Sequence, residues 1–443
     1  MTDIRQETDY TLFRPILETE KSFYWIVATL LGIIFWAGYM YINQIIYGLG
    51  VTGLNNTVSW GFYIINFVFF IGISHAGTLI SAILRLSQAE WRRPITRMAE
   101  VITAIVLLIG AVHPILDLGR PDRILNVFLF GRLQSPLLWD VTAITTYFTA
   151  STIYLYVPLI PDIALLRDKT DKYKWFYQFL SWGYIGTEKQ KHILERAMTI
   201  LMVMVIPIAV SVHTVISFIF SMTIQPGWHS TIFGPYFVVG AIFSGTATLL
   251  VVMIAFRKMY HFENYLKEIH FQYLGLLLLI FAILWGYFTF SEFVTGFYGN
   301  EPMEMSVILY KFTGPYAVFF WLMVVLNFII PVVVLGFKRL KTIKGILFTS
   351  MGVIVGMWLE RLIIVVPSLS NPRLPYDVHF YIPSLTEVSL FMGGIAVFCL
   401  GFIIFSKLFP LISIWEIEEG RNEGLEEAQK RLESYLPSVE QVK

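Results

Sequence analysis

The sequence predicts an all-α integral membrane protein of ten transmembrane helices, and three observations carry that prediction. Of its 443 residues, 56% are hydrophobic and only 14% charged, with a mean hydropathy of +0.67. The apolar residues gather into ten runs, each near or above the ~20 residues that a helix needs to cross the hydrocarbon core. Lys and Arg collect between alternate runs, the pattern of a chain that threads back and forth with its positive loops on one side.

Residues 1–22 are polar and acidic and read as a cytoplasmic N-terminal segment. The first run, 23–47, is too long for the apolar core of a signal peptide and lacks a small-residue cleavage site after it, so it is expected to stay as a span, with its outer loop extending to 59. The second to fifth runs, 60–86, 98–119, 138–165 and 195–222, are expected to form a first four-helix bundle within 60–222. The sixth to ninth, 234–257, 271–298, 314–337 and 343–368, form a second within 223–368. The tenth, 383–409, lies with its preceding loop in 369–409 and flanks the bundles as the first does. SHAGTLISAILR in the second run and IFSGTATLLVVMIAFR in the sixth share a Gly-Thr pair and a terminal Arg, as a parallel repeat of two bundles would, although Gly and Thr there also serve close packing. Residues 167–193 interleave Lys with Trp175, Phe176, Tyr177 and Trp182, which suits a segment lying on the membrane surface. The tail, 410–443, carries Glu and Lys after Trp415 at helical spacing and reads as a solvated cytoplasmic helix.

Orientation follows from the loops. One set holds Arg92, Arg93 and Arg97, then Arg167, Lys169, Lys172, Lys174, Lys189 and Lys191, then Arg257, Lys258 and Lys267, then Lys338, Arg339, Lys341 and Lys344, and both termini fall on that side. The alternate loops hold little beyond Lys311 and Arg373, so both termini are expected in the cytoplasm of a bacterial cell whose inner membrane the chain spans. The exception is the loop after HPILDLGRPDR (113–123), which brings Arg120, Arg123 and Arg132 to the outer face. Two readings are open: interfacial anchors paired with Asp117 and Asp122, or a polar site at the outer boundary.

A net charge of +1 and sparse charge leave no basic face for nucleic acid. Cys399 stands alone, so this chain offers neither a thiolate set for an iron–sulfur cluster nor a c-type haem motif, and no metal-ligand spacing appears. Ionisable side chains inside a bilayer cost about 2.5–3.5 kcal/mol each on insertion scales, so those present ask for a use. They are His75, His113, Asp117, Asp140, His213, Glu292, Glu360 and Arg361, all but His75 in the outer half of the threading. His113 and Asp117, four residues apart, share a helix face, and a short loop joins them to Asp140. An imidazole and two carboxylates beside apolar walls suit quinol oxidation, which releases two protons with its two electrons. Three alternatives compete: single histidines bonded to backbone carbonyls, a b-type haem between His213 and His75 or His113, and a proton-coupled transporter, whose site belongs nearer the midplane.

The stretches GISHAGTLISAIL (72–84), DLGRP (117–121), SPLLWD (135–140), SVHTVISF (211–218), PGWHSTIFGPYFVVGAIFSG (226–245), SEFVTGFYGN (291–300) and MWLERLIIVV (357–366) resemble the polysulfide reductase (NrfD-like) family of membrane subunits, in particular its branch in alternative complex III. The resemblance covers about residues 20–415. It implies ten helices in two four-helix bundles, a quinol site (menaquinone or ubiquinone) on the periplasmic side of the first, and no haem or iron–sulfur cluster in this chain. The partners it implies are an iron–sulfur subunit, multihaem c-type cytochromes and a second homologous membrane subunit. It further implies a quinol-site carboxylate at Asp140 and a second quinol-site residue at Asp117 or His113, and a proton path through His213, Glu292 and Glu360; Arg120 and His75 are further quinol-binding candidates and Arg361 a further proton-path candidate. One departure stands out: where the family has a histidine directly before LGRP, this chain has Asp117, with His113 one turn earlier.

Overall fold

The computed structural model describes residues 10–371 and 380–422, which are largely helical and contain no strand. Arg373, the first nine residues and the tail beyond 422 lie outside the described residues. A short helix α1 (Tyr10–Leu17) precedes α2 (Lys21–Tyr47), α3 (Phe62–Leu86), α4 (Thr96–Asp117), the single turn α5 (Asn126–Leu129), α6 (Pro136–Tyr156), α7 (Ile160–Lys169), α8 (Lys174–Leu180) and α9 (Glu188–Ser221). There follow α10 (Phe233–Tyr260), α11 (Glu268–Gly299), α12 (Pro302–Phe312), α13 (Ala317–Val324), α14 (Ile330–Gly336), α15 (Ile343–Ser370) and α16 (Leu385–Leu408). Ten of the described helices, counting α6 with α7 and α13 with α14 as single spans, are long and apolar enough to cross a membrane.

The local chemistry of the termini explains where these helices begin. Pro136 and Pro302 occupy first-turn positions of α6 and α12, where a missing N–H costs nothing. Thr187 with Gln190 and Ser384 with Glu387 form capping boxes that start α9 and α16. Two starts and stops differ from expectation: the fourth span continues through a 3₁₀ turn at Val157–Leu159 to Lys169, and the fifth begins at Glu188, inside the stretch read as interfacial. Of that stretch α8 remains on the surface, exposing Trp175 and Phe179 with Trp182 following.

Helices α3, α4, α6 and α9 pack into one four-helix bundle, and α10, α11, α13–α14 and α15 into a second. Helices α2 and α16 pair beside the first, and α3 lies against α10 at the seam. Gly77 allows the close approach of α3 to α4, since a Cβ there would run into the Ala99 carbonyl and the Thr103 hydroxyl. The eighth span is not a regular helix. Its α13 and α14 halves are separated by a π turn at Val325–Ile329, which places Asn327 fully buried with neither side-chain polar atom partnered.

The basic end of the molecule is closed by the C-terminal segment, which corrects the reading of a solvated tail at its first turns. Residues 414–422 are helical, and Glu416 is buried, paired with Arg85 at 2.9 Å and Arg92 at 2.7 Å. Asp162 is bound by Arg97 and also accepts the backbone N–H groups of Ile414 (3.2 Å) and Trp415 (3.1 Å), so a carboxylate sits at the positive end of that helix. Burial alone would raise the Glu416 pKa, but Arg85, Arg92 and Arg97 outweigh it and hold the carboxyl below its ordinary value.

Candidate functional site

At the end opposite the basic loops, α4 delivers His113 and Asp117. His113 is buried, and its Nδ1 donates to the Ile109 carbonyl at 2.9 Å, because a carbonyl can only accept. Its Nε2 is therefore an acceptor in the neutral ring, and among the described residues it has no partner. The ring borders a groove of about 380 Å³ between α2, α4 and α16, lined by Ala37, Tyr41, Leu390 and Gly393. Asp117, one turn on, lies within electrostatic reach of Glu387 and Tyr63.

Around Asp117 a polar knot ties four helix ends together. Tyr63 donates to the Gln44 side chain at 2.5 Å, and Gln44 donates to the Leu116 carbonyl at 2.7 Å. Glu387 accepts from the Tyr381 hydroxyl, from Gly53 N at 2.7 Å and from Ser384 N at 2.7 Å. The sequence reading missed Gln44, Tyr63, Tyr381 and Glu387; only the Ser-x-x-Glu capping pattern at 384–387 could have pointed to one of them.

Asp140, in the second turn of α6, is only 8% exposed, and among the described residues its Oδ1 has no partner. Helix α6 packs against α4, yet among the described residues no hydrogen bond or ion pair joins Asp140 to His113 or Asp117. Arg120 turns away from all three. It makes two 3.0 Å bonds to Asp122 on the surface, where both side chains are more than half exposed.

The remaining expected residues meet deeper in the protein. His75 and His213 are both fully buried, with ring centroids 3.3 Å apart between α3 and α9, and His75 Nε2 donates to the Ala209 carbonyl at 2.5 Å. Among the described residues, both nitrogens of His213 lack a hydrogen-bond partner. Across the seam, Arg361 lies over the Phe237 ring at 4.8 Å, and Phe237 is 5.7 Å from the His213 ring. Gly240 makes room for that guanidinium, since a Cβ would stand 3.2 Å from it. Arg361 pairs with Glu360, which also accepts from Trp285 Nε1 at 2.5 Å.

From Glu360 polar groups extend in both directions. Toward the end opposite the basic loops they pass Tyr236 and Thr289 (3.2 Å) to Glu292, which accepts from Ser230 at 2.6 Å. Glu292 and Glu360 line one cavity of about 320 Å³, together with Lys311 from the helix α12 that sequence reading did not anticipate. Burial pushes the Lys311 pKa down to about 8, with Glu292 opposing. Toward the basic end, His75 lies beside Tyr147 (5.0 Å), Thr78 meets Ser151 (3.4 Å), and Ser81 donates to Glu100 (2.6 Å), which pairs with Arg85 (3.2 Å). Polar groups thus cross the protein from the second bundle into the first. Among the described residues, no cluster of three or more His, Cys, Asp or Glu has the arrangement of a metal site.

Comparison with known proteins adds the lineage. The chain is 27% identical to a membrane protein ascribed to the dimethyl sulfoxide reductase of Halobacterium salinarum, over 78% of this chain and 77% of that one. It is 26% identical to a subunit of the selenate reductase of Mesobacillus selenatarsenatis, over 83% of this chain and 89% of the relative. Against the Hdr-like menaquinol oxidoreductase integral membrane subunit of Archaeoglobus fulgidus, identity is 25% over 84% and 89%. The sequence profile of the polysulphide reductase NrfD family matches residues 50–372, which include both bundles with His75, His113, Asp117, Asp140, His213, Glu292, Lys311, Glu360 and Arg361. With that span matched across two bundles of the expected architecture, the chain belongs to the NrfD family of polysulphide reductase membrane subunits.

Proposed function

We propose that this chain is the quinone-binding membrane subunit of a respiratory redox complex, and that it oxidises menaquinol or ubiquinol at the outer end of its first bundle. The observation that carries the reading is Asp140, a nearly buried carboxyl with an unpartnered oxygen at the mouth of an apolar bundle. A lone buried carboxyl is costly, and a hydroxyl donor from a bound quinol would satisfy it while offering a proton. His113 Nε2 and Asp117 stand at the same end as further acceptors. With the basic loops placed in the cytoplasm by the positive-inside rule, that end is periplasmic. The electrons pass to an iron–sulfur subunit, with multihaem cytochromes and a second membrane subunit as further partners; the menaquinol oxidoreductase named among the relatives supports this direction. The dimethyl sulfoxide and selenate reductases named beside it fit the same direction, since a reductase draws electrons from quinol; the alternative is the reverse, quinone reduction with electrons from a periplasmic dehydrogenase or sulfur enzyme. In either direction, the buried polar groups from Glu292 through Glu360 and His213 to Glu100 are the route we assign to any translocated protons. Native mass spectrometry of the membrane complex, with a quinol oxidation assay on the same preparation, tests the reading: an isolated chain that arrives without redox partners would overturn it and favour a transporter.

A further inference from the structure

Lys311 is only 6% exposed, and among the described residues no hydrogen bond or ion pair reaches its ammonium. Its side chain lines the second-bundle cavity, which Glu292 shares without closing to ion-pair distance. The Glu292 carboxylate is oriented by Ser230 at 2.6 Å, and the mouth is framed by His229 bonded to Glu304 at 2.9 Å. The walls between these polar groups are apolar: Phe233, Phe293, Phe320, Met323, Ile363 and Ile364. At about 320 Å³ the cavity falls at the lower edge of the ~300–1,000 Å³ typical of small-molecule sites.

The chemistry of the lining narrows the occupant. A buried ammonium wants an acceptor and a carboxylate wants a donor, and a single ligand that bridges them must carry both kinds of oxygen. The phenyl walls favour a flat, apolar ring between those oxygens. An anion is disfavoured, because Glu292, Glu304 and Glu360 outnumber Lys311 and the nearby Arg361 is already committed to Glu360. A sugar or other many-hydroxyl ligand would leave donors against phenylalanine. We propose that this cavity is a second quinone-headgroup site, distinct from the one at the first bundle, in which the quinol form is held with Lys311 donating to one ring oxygen and Glu292 accepting from the hydroxyl of the other. The quinone class rests on the function proposed above; the site itself rests on the cavity and its unpartnered lysine.

Photolabelling of the intact membrane complex with an azidoquinone, followed by peptide mapping, tests it. The expected result is label on two regions, one near His113 to Asp140 and one within residues 289–323. Lys311→Met and Glu292→Gln should each lower the second label by tenfold or more while leaving the first unchanged. Co-purification of the partner proteins checks that each variant has assembled, and Glu292→Gln serves if Lys311→Met does not. Label confined to the first region, or second-region label that survives both substitutions, would show a water-filled vestibule and overturn this inference alone. Label only in the second region would instead overturn the placement of quinol oxidation at the first bundle.

Discussion

Substituting Asp140 by Asn separates the chemistry of the proposed quinol site from its architecture. Asn keeps the size and shape of the side chain, so the packing of α6 on α4 is unchanged, but it removes the group that accepts a proton. Loss of a positioned general base costs roughly 10²–10⁴-fold in rate, which at about 1.36 kcal/mol per tenfold raises the barrier by about 3–5 kcal/mol. Stability should move the other way or not at all. The carboxyl is 8% exposed with one oxygen unpartnered, so replacing it by a neutral amide relieves desolvation instead of breaking an interaction. The assay is steady-state oxidation of a short-chain quinol by the purified complex, beside its thermal unfolding and a check that every partner protein is present. A hundredfold or greater loss of turnover in a complex that melts no lower than the parent is the expected outcome. Full turnover would refute the role of Asp140, and a matching drop in stability would show that the residue is structural. Asp117→Ala and His113→Ala extend the test, because His113 Nε2 and Asp117 are the two further acceptors at this end. The one whose loss mimics Asp140→Asn shares the quinol.

Glu360→Gln should lower the number of protons translocated per electron while leaving quinol oxidation largely intact, because Glu360 lies in the second bundle, away from Asp140; equal loss of both activities in proton-pumping vesicles would place it in the quinol site or in the scaffold. Glu416→Ala removes the carboxylate shared by Arg85 and Arg92 at a buried site, leaving Arg85 with Glu100 alone; breaking a buried ion pair costs about 3–5 kcal/mol, so the segment 414–422 should become open to protease in inside-out vesicles, and continued protection would refute the clamp. That clamp also has a pH signature. The Glu416 carboxyl is held below its ordinary value of 4.5, so its contribution to stability is present above that pH and is lost only as the pH falls through the depressed folded value. Protection of 414–422 should therefore persist through neutral pH and fail only in strong acid, and release near pH 6 would contradict it. Protease added to sealed right-side-out cells should leave the tail intact, whereas cleavage there would invert the topology.

What the sequence by itself determined is the class of solvent and the count of crossings. Hydropathy is a local property, and a bilayer demands it of every spanning segment regardless of neighbours, so the ten runs were legible with ends off by a few residues. The residues that carry charge into the membrane were legible for the same reason, and each expected one is indeed on a spanning helix. Which of them meet was decided by tertiary structure. Helices such as α11 and α16 are apolar nearly all round, and with no amphipathic stripe their rotation is not written in the sequence. Hence the contact of His75 on α3 with His213 on α9, and the stacking of Arg361 on α15 over Phe237 on α10, for which Gly240 leaves room, follow from how the helices are rotated and packed. Arg120 shows the converse, since the sequence offered both Asp117 and Asp122 as partners and the fold gave it Asp122. Lys311 and Glu416 read as ordinary loop and tail charges, because only the arrangement of helices around them encloses the one in a cavity and the other among arginines.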